Sequence, residues 1–167
     1  MKNALLVAAA LASGLISGFI SQGIWGSGNW FTHPGLLFGL ATAWLVLLGG
    51  KYKIVRAVLW ILVSTAAFQA SLFLYFFESM GVVITGGAIL ALTFQWIFHI
   101  KNRYSLPFIL IQIGMIAVLG VISYLALDNE KFIQTYLFIA WQSVAVICII
   151  SGILIDKKIA TRAIHTN

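Results

Sequence analysis

The chain has 167 residues, of which 62% are hydrophobic and 8% charged, with a mean hydropathy of +1.05 and a formal net charge of +6. A soluble domain carries about 25% charged residues, so these proportions exclude a water-soluble fold. No polar stretch is long enough for a separate soluble unit, and residues 1–167 read as a single transmembrane domain. The positive balance is not a nucleic-acid footprint, because the cations sit in the gaps between apolar runs, where they orient a membrane protein.

The first apolar run, Leu5 to Trp25, carries no charge and is long enough to cross a bilayer, which takes about 20 residues. Ala10-Leu11-Ala12 resembles a signal-cleavage site, but the run continues well past it, so an uncleaved span over about 4–25 is expected. At 100° per residue, Ala10, Gly14, Ser17, Gly18 and Ser21 share one narrow sector, opposite Leu11, Leu15, Ile16 and Phe19. Gly14 and Gly18 form a GxxxG pair, and such a stripe lets another helix backbone approach closely in lipid. Gly14, Ser17, Gly18 and Ser21 are therefore helix-packing candidates.

Residues 26–34, GSGNWFTHP, form the longest expected loop. Trp25, Trp30, Phe31 and His33 are candidates for a gate or ligand cap there, with an aromatic interfacial belt as the simpler account. Pro34 suits the first turn of a second span, about 35–50, with Thr32 or His33 as its cap. A third span is expected over about 55–77 and a fourth over about 80–99, joined by Glu78-Ser79-Met80. Ser105 is placed to cap a fifth span, about 106–127, ahead of Pro107. Asp128 to Lys131 leads into the sixth, about 132–155, which contains the single cysteine, Cys148.

Charge tests this count. With the N-terminus cytoplasmic, six crossings put Lys2, Lys51, Lys53, Arg56, Lys101, Arg103, Lys157, Lys158 and Arg162 inside and leave Lys131 alone outside. Every inside segment then obeys the positive-inside rule. The expected fold is all-α: a polytopic bundle of six transmembrane helices, N-in/C-in, with short connections making successive helices antiparallel neighbours. The expected location is a plasma membrane of bacterial type, with both termini cytoplasmic.

No span carries a charge near its middle, which argues against an ion-coupled carrier or voltage sensor. The spans carry glutamines instead. Gln95 and Gln112 lie level, each about 9 Å from the turn that joins their helices, and are placed to bond each other. His99 sits a turn below Gln95. Gln69 and Gln142 fall near mid-membrane. A buried amide must find partners, and two accounts stand. The amides are either bonds between helices, or Gln69, Gln95, His99, Gln112, Trp141 and Gln142 line a ligand pocket walled by Trp141 and Trp44. A void of about 300 Å³ or more near Gln69 and Gln142 would favour the pocket.

Catalytic patterns do not emerge. There is no HExxH, CxxC or Walker A sequence. The three histidines, His33, His99 and His165, fall outside, inside and in the tail, so His33 cannot share a metal with His99 across the membrane, and the intramembrane serines lack a nearby base. No cofactor or metal is expected, and a membrane enzyme is the least favoured reading, since it would need a polar cluster that only the tertiary structure could assemble. The function expected first is transport-type, or solute or lipid binding, around a weakly polar intramembrane cavity. The alternative is a non-catalytic accessory or scaffold subunit that docks a partner through the small-residue face of the first helix. Membrane lipid is an expected partner, together with further copies of the chain or a second membrane subunit; nucleic acid is not.

Overall fold

The computed structural model describes residues 2–26, 33–48, 52–76 and 82–165. Seven helices account for nearly all of them: α1 Lys2–Gly26, α2 His33–Leu47, α3 Lys53–Phe76, α4 Val82–Ile97, α5 Leu106–Asp128, α6 Glu130–Thr135 and α7 Leu137–His165. Among the described residues there is no strand. Four helices are long and apolar enough to cross a membrane, within Asn3–Ile24, Lys53–Leu74, Leu106–Ala126 and Leu137–Arg162. The apolar helices α2 and α4, with 15 and 16 residues, span about 22–24 Å at 1.5 Å per residue, short of the roughly 30 Å hydrocarbon core.

The helices pack as a closed ring in the order α1, α2, α3, α4, α5, α7, with α7 returning to α1. Lys53, Lys101, Arg103 and Lys157 mark one end of this ring, called here the basic end; Pro34 and Asn129 mark the other.

Glycine seams set the close approaches. On α1, Gly14 and Gly18 face α7: a Cβ on Gly18 would lie 2.7 Å from Ile139 Cα, and one on Gly14 would lie 2.9 Å from Val146 Cγ2. A second GxxxG pair, Gly35 and Gly39, seats α2 on α3, where added Cβ atoms would lie 2.5 Å from the Ser64 carbonyl and 2.8 Å from Ile61 Cα. In lipid, van der Waals contact at such seams replaces the hydrophobic effect as the main attraction between helices.

The basic half of the ring is plugged by aromatic rings. Trp60, Phe38, Phe94 and Phe108 are fully buried. Trp60 meets Phe98 edge-on at 5.0 Å and Phe38 at 6.1 Å, and Phe94 meets Phe108 at 5.2 Å. Such pairs add about 0.5–1.5 kcal/mol each beyond their burial. Two indoles are tied by the same relay: Trp60 Nε1 donates to Thr42 Oγ1, which donates to the Phe38 carbonyl, and Trp44 Nε1 donates to Ser13 Oγ, which donates to the Ala9 carbonyl. One hydroxyl thereby satisfies an indole and keeps its own donor paired.

Three local details differ from the sequence expectations. Ser105 stands at the N-cap of α5, but its hydroxyl makes no capping bond; its carbonyl accepts from Phe108 and Ile109. The sixth predicted span is two helices, not one. Asn129 caps α6 by accepting from the Phe132 N–H, and the chain breaks again at Tyr136 (φ −128°). The Gln22 side chain of α1 reaches both sides of this second break: Nε2 donates to the Ile133 carbonyl at 2.7 Å, and Oε1 accepts from the Phe138 N–H at 3.1 Å. An uninterrupted helix would pair that carbonyl with Leu137 and that N–H with Gln134. An inserted side chain is a recognised cause of a kink. Finally, α7 runs on to His165, well past the predicted end near residue 155.

Candidate functional site

A cavity of about 80 Å³ lies inside the ring, in the half away from the basic end. Pro34 and Gly35 of α2, Phe68, Ser71 and Leu72 of α3, Ser123 and Ala126 of α5, Ile133 of α6, and Leu137, Phe138, Trp141 and Gln142 of α7 line it. Trp141 stands edge-on to Phe38 at 6.1 Å, joining the lining to the aromatic plug. Gly86 of α4 brings its backbone against the Trp141 ring, 3.3 Å from an added Cβ, and against Ser71 Oγ.

The serine hydroxyls and the glutamine amide on this lining are already engaged, whereas the Trp141 indole N–H has no hydrogen-bond partner among the described residues. Ser71 Oγ donates to the Ala67 carbonyl at 3.0 Å, and Ser123 Oγ to the Leu119 carbonyl at 2.9 Å. Gln142, 1% exposed, uses its whole amide. Its Oε1 accepts a short bond from Ser17 Oγ, and its Nε2 donates to Ser21 Oγ at 2.9 Å and to the Pro34 carbonyl at 3.1 Å. Three helices, α1, α2 and α7, are thereby bonded at one point. The lining therefore offers a guest apolar walls, no spare amide and, among the described residues, a single free side-chain donor, the Trp141 N–H, which suits a largely hydrocarbon guest better than a polar solute.

The remaining sequence candidates are scattered. Gln112 of α5 donates to the Ala91 carbonyl of α4 at 2.9 Å, while Gln95 donates to Leu92 on its own helix at 3.0 Å. The two amides are not level as expected: Gly87 lies beside Ile116 and Phe94 beside Phe108, which sets Gln112 against Ala91, a helical turn away from Gln95, and the two do not bond each other. Gln69 is half-buried on α3 and is not among the residues lining the cavity. Trp44 is taken up by Ser13 on α1 and also stands apart from the lining.

His99 corrects a further expectation. It is exposed and sits past the end of α4 with φ 57°. The Ile100 N–H bonds to the Gln95 carbonyl at 2.9 Å and the His99 N–H to the Trp96 carbonyl at 3.2 Å. That pair is a Schellman ending, with His99 in the left-handed position glycine usually fills. It is a helix terminator on the basic end, remote from the cavity. Trp30 and Phe31 of the proposed outer gate lie outside the described residues, as do the side chains of Trp25 and His33.

The small-residue stripe faces inward. Ala10, Ser17 and Ser21 are buried and Gly14 and Gly18 lie against α7, while Leu15, Ile16, Phe19 and Ile20 of α1 are exposed. The face expected to receive a partner helix is occupied by the chain's own α7. Among the described residues, no group of three or more His, Cys, Asp or Glu is placed to hold a metal ion. Comparison with protein-family models, curated proteins and solved structures found no match.

Two structural devices escaped the sequence reading. Gln22, in the last turns of α1, clamps the α6–α7 break. Asp156 accepts from the Lys101 N–H, the Asn102 N–H and Asn102 Nδ2 at 3.1, 2.8 and 2.9 Å. Its isolation as the single acidic residue among the cations of the basic end was a usable signal. The Tyr136 break had none, since neither Pro nor Gly lies nearby.

Proposed function

We propose that the protein is an integral membrane protein of six crossings, N-in/C-in, that binds the end of an apolar, lipid-like chain in the outer half of its helical ring. The observation that carries this reading is the cavity lining, where apolar side chains dominate and the Gln142 amide is spent on Ser17, Ser21 and Pro34. The volume agrees with a chain end rather than a whole solute. About 80 Å³ is below the roughly 150 Å³ of an engineered cavity that admits benzene, and far below the roughly 300–1,000 Å³ of drug-sized sites. A few methylene groups fit; a polar metabolite does not. The aromatic plug around Trp60 favours a blind binding site over a continuous conduit.

Six crossings are supported by the ring itself. The short helices α2 and α4 each stand between two longer ones, and an even count keeps the cationic turns on one side.

The test uses a fatty acid with a diazirine at its tail end, added to the protein in nanodiscs and photolysed. Labelled peptides should map to the cavity segments 68–72, 123–126 and 133–142. Ser123→Leu, which fills the cavity from α5, should cut that labelling about tenfold while the thermal unfolding midpoint stays within a few degrees. Labelling confined to the outward-facing residues of α1 and α5, or unchanged by Ser123→Leu, would overturn the proposal.

A further inference from the structure

The basic end carries a second arrangement, separate from the cavity. After the Schellman ending at His99, residues 101–105 turn back towards α5, and Asp156 holds this turn against α7 through Lys101 and Asn102. Its hydrogen bonds go to amides, so they do not consume the neighbouring cations. On this turn the Arg103 guanidinium lies over the Trp96 ring, 4.1 Å from its centroid, and 5.1 Å from that of Tyr104. Cation–π contact of this kind holds a guanidinium in place while leaving its N–H edge available. Trp96 and Tyr104 are 60% and 78% exposed, as aromatic side chains at the headgroup level of a bilayer are.

Lys101 is exposed on the same turn, and Lys157 is exposed beside Asp156 on α7. At 100° per residue, Lys157 flanks the direction in which Asp156 meets the turn, whereas Lys158 points to the far side of the helix. Next to the turn, Leu106, Leu110 and Ile113 form an exposed apolar strip along α5, at the i, i+4, i+7 spacing of one helix face. One held guanidinium and two exposed lysines thus lie at the basic end, next to the start of an exposed apolar strip on α5.

We infer that the 101–104 turn, clasped to α7 by Asp156, forms with Lys157 a binding site for the phosphate of an anionic phospholipid, whose acyl chain lies along Leu106, Leu110 and Ile113. Arg103, Lys101 and Lys157 contact the phosphate; Asp156 is a positioning residue that holds the two halves together.

The experiment is native mass spectrometry of the full chain, released from micelles supplied with phosphatidylglycerol or phosphatidylcholine, with lipid occupancy read at each concentration. Phosphatidylglycerol should be retained in preference to phosphatidylcholine. Lys157→Gln and Arg103→Gln should each weaken retention about fivefold, the effect of one cation near an anionic lipid surface. Lys158→Gln removes the same charge from the other side of the helix and should leave retention unchanged. Asp156→Ala should weaken retention with every cation still present. Equal losses from Lys157→Gln and Lys158→Gln would overturn the inference, because attraction would then be general to the basic end. Displacement of the lipid by millimolar inorganic phosphate would also overturn it, since the site would then recognise the anion without its chain. Both lysine variants are on the exposed surface, so the comparison survives if Arg103→Gln fails to fold.

Discussion

Replacing Gln142 by Leu removes the central polar junction of the ring at nearly constant volume. Three hydrogen bonds disappear: Ser17 Oγ–H to Oε1, and Nε2–H to Ser21 Oγ and to the Pro34 carbonyl. Bonds between transmembrane helices average about 0.6 kcal/mol, because inserted but separated helices also find partners. Three of them set an upper expectation of about 2 kcal/mol on that scale. Part is recovered, since Ser17 Oγ already lies 3.2 Å from the Gly14 carbonyl and turns to it fully. The greater hydrophobicity of leucine contributes little, because the side chain stays in lipid before and after the helices associate. The net expectation is about 1–2 kcal/mol, or about a five- to thirtyfold shift in the folding equilibrium. Unfolding in mixed micelles, followed by tryptophan fluorescence, measures this directly. A cycle with Ser17→Ala should return a coupling near 0.6 kcal/mol for that pair. A change below about 0.3 kcal/mol, within the usual error of additivity, with no coupling to Ser17 would refute the junction.

Glycine substitutions should separate by what an added methyl would meet. Gly18→Ala pushes on the backbone of Ile139 and Phe138, which cannot yield, whereas Gly14→Ala meets chiefly the Val146 side chain; unfolding midpoints should fall further for the first. Gly23→Ala and Gly114→Ala meet nothing within 4 Å and should leave stability within about 0.5 kcal/mol, because each helix stays formed in the micelle before and after the helices associate. His99→Gly should stabilise by about 1 kcal/mol, because a left-handed residue with a Cβ costs roughly that much. The same micelle titration reads it, and any loss of stability would show that the His99 side chain has a role beyond ending α4.

Much of the architecture was legible because lipid imposes simple rules. Runs of apolar residues, cations in alternate gaps and prolines at helix starts marked the helices, and the α1 stripe marked a seam. The partner of that seam was not legible: closure of α7 onto α1 brings Gly18 to Ile139, across more than a hundred residues. The GxxxG spacing of Gly35 and Gly39 carries the same signal for the seam of α2 on α3. Glutamines were correctly singled out as groups requiring partners, yet their partners depend on rotamer and helix rotation, which periodicity does not fix. Gln112 finds the backbone of α4 rather than Gln95, and Gln142 finds serines on α1. His99 misled because it sits one turn beyond Gln95 only if α4 continues; the left-handed ending turns it outward. A cavity made by Gly86, a kink at Tyr136 and side chains from five helices has no linear signature.

The closed six-helix ring, with α2 and α4 crossing the bilayer like their neighbours, is the claim on which the rest depends. Its most direct test replaces Cys148 by serine and places single cysteines at Asn3, Asn129 and Thr161 for labelling by a membrane-impermeant maleimide in intact cells. Asn129 should be labelled, and Asn3 and Thr161 only after the membrane is opened. Labelling of Asn3 or Thr161 from outside, with the other protected, would require an odd number of crossings and contradict the account.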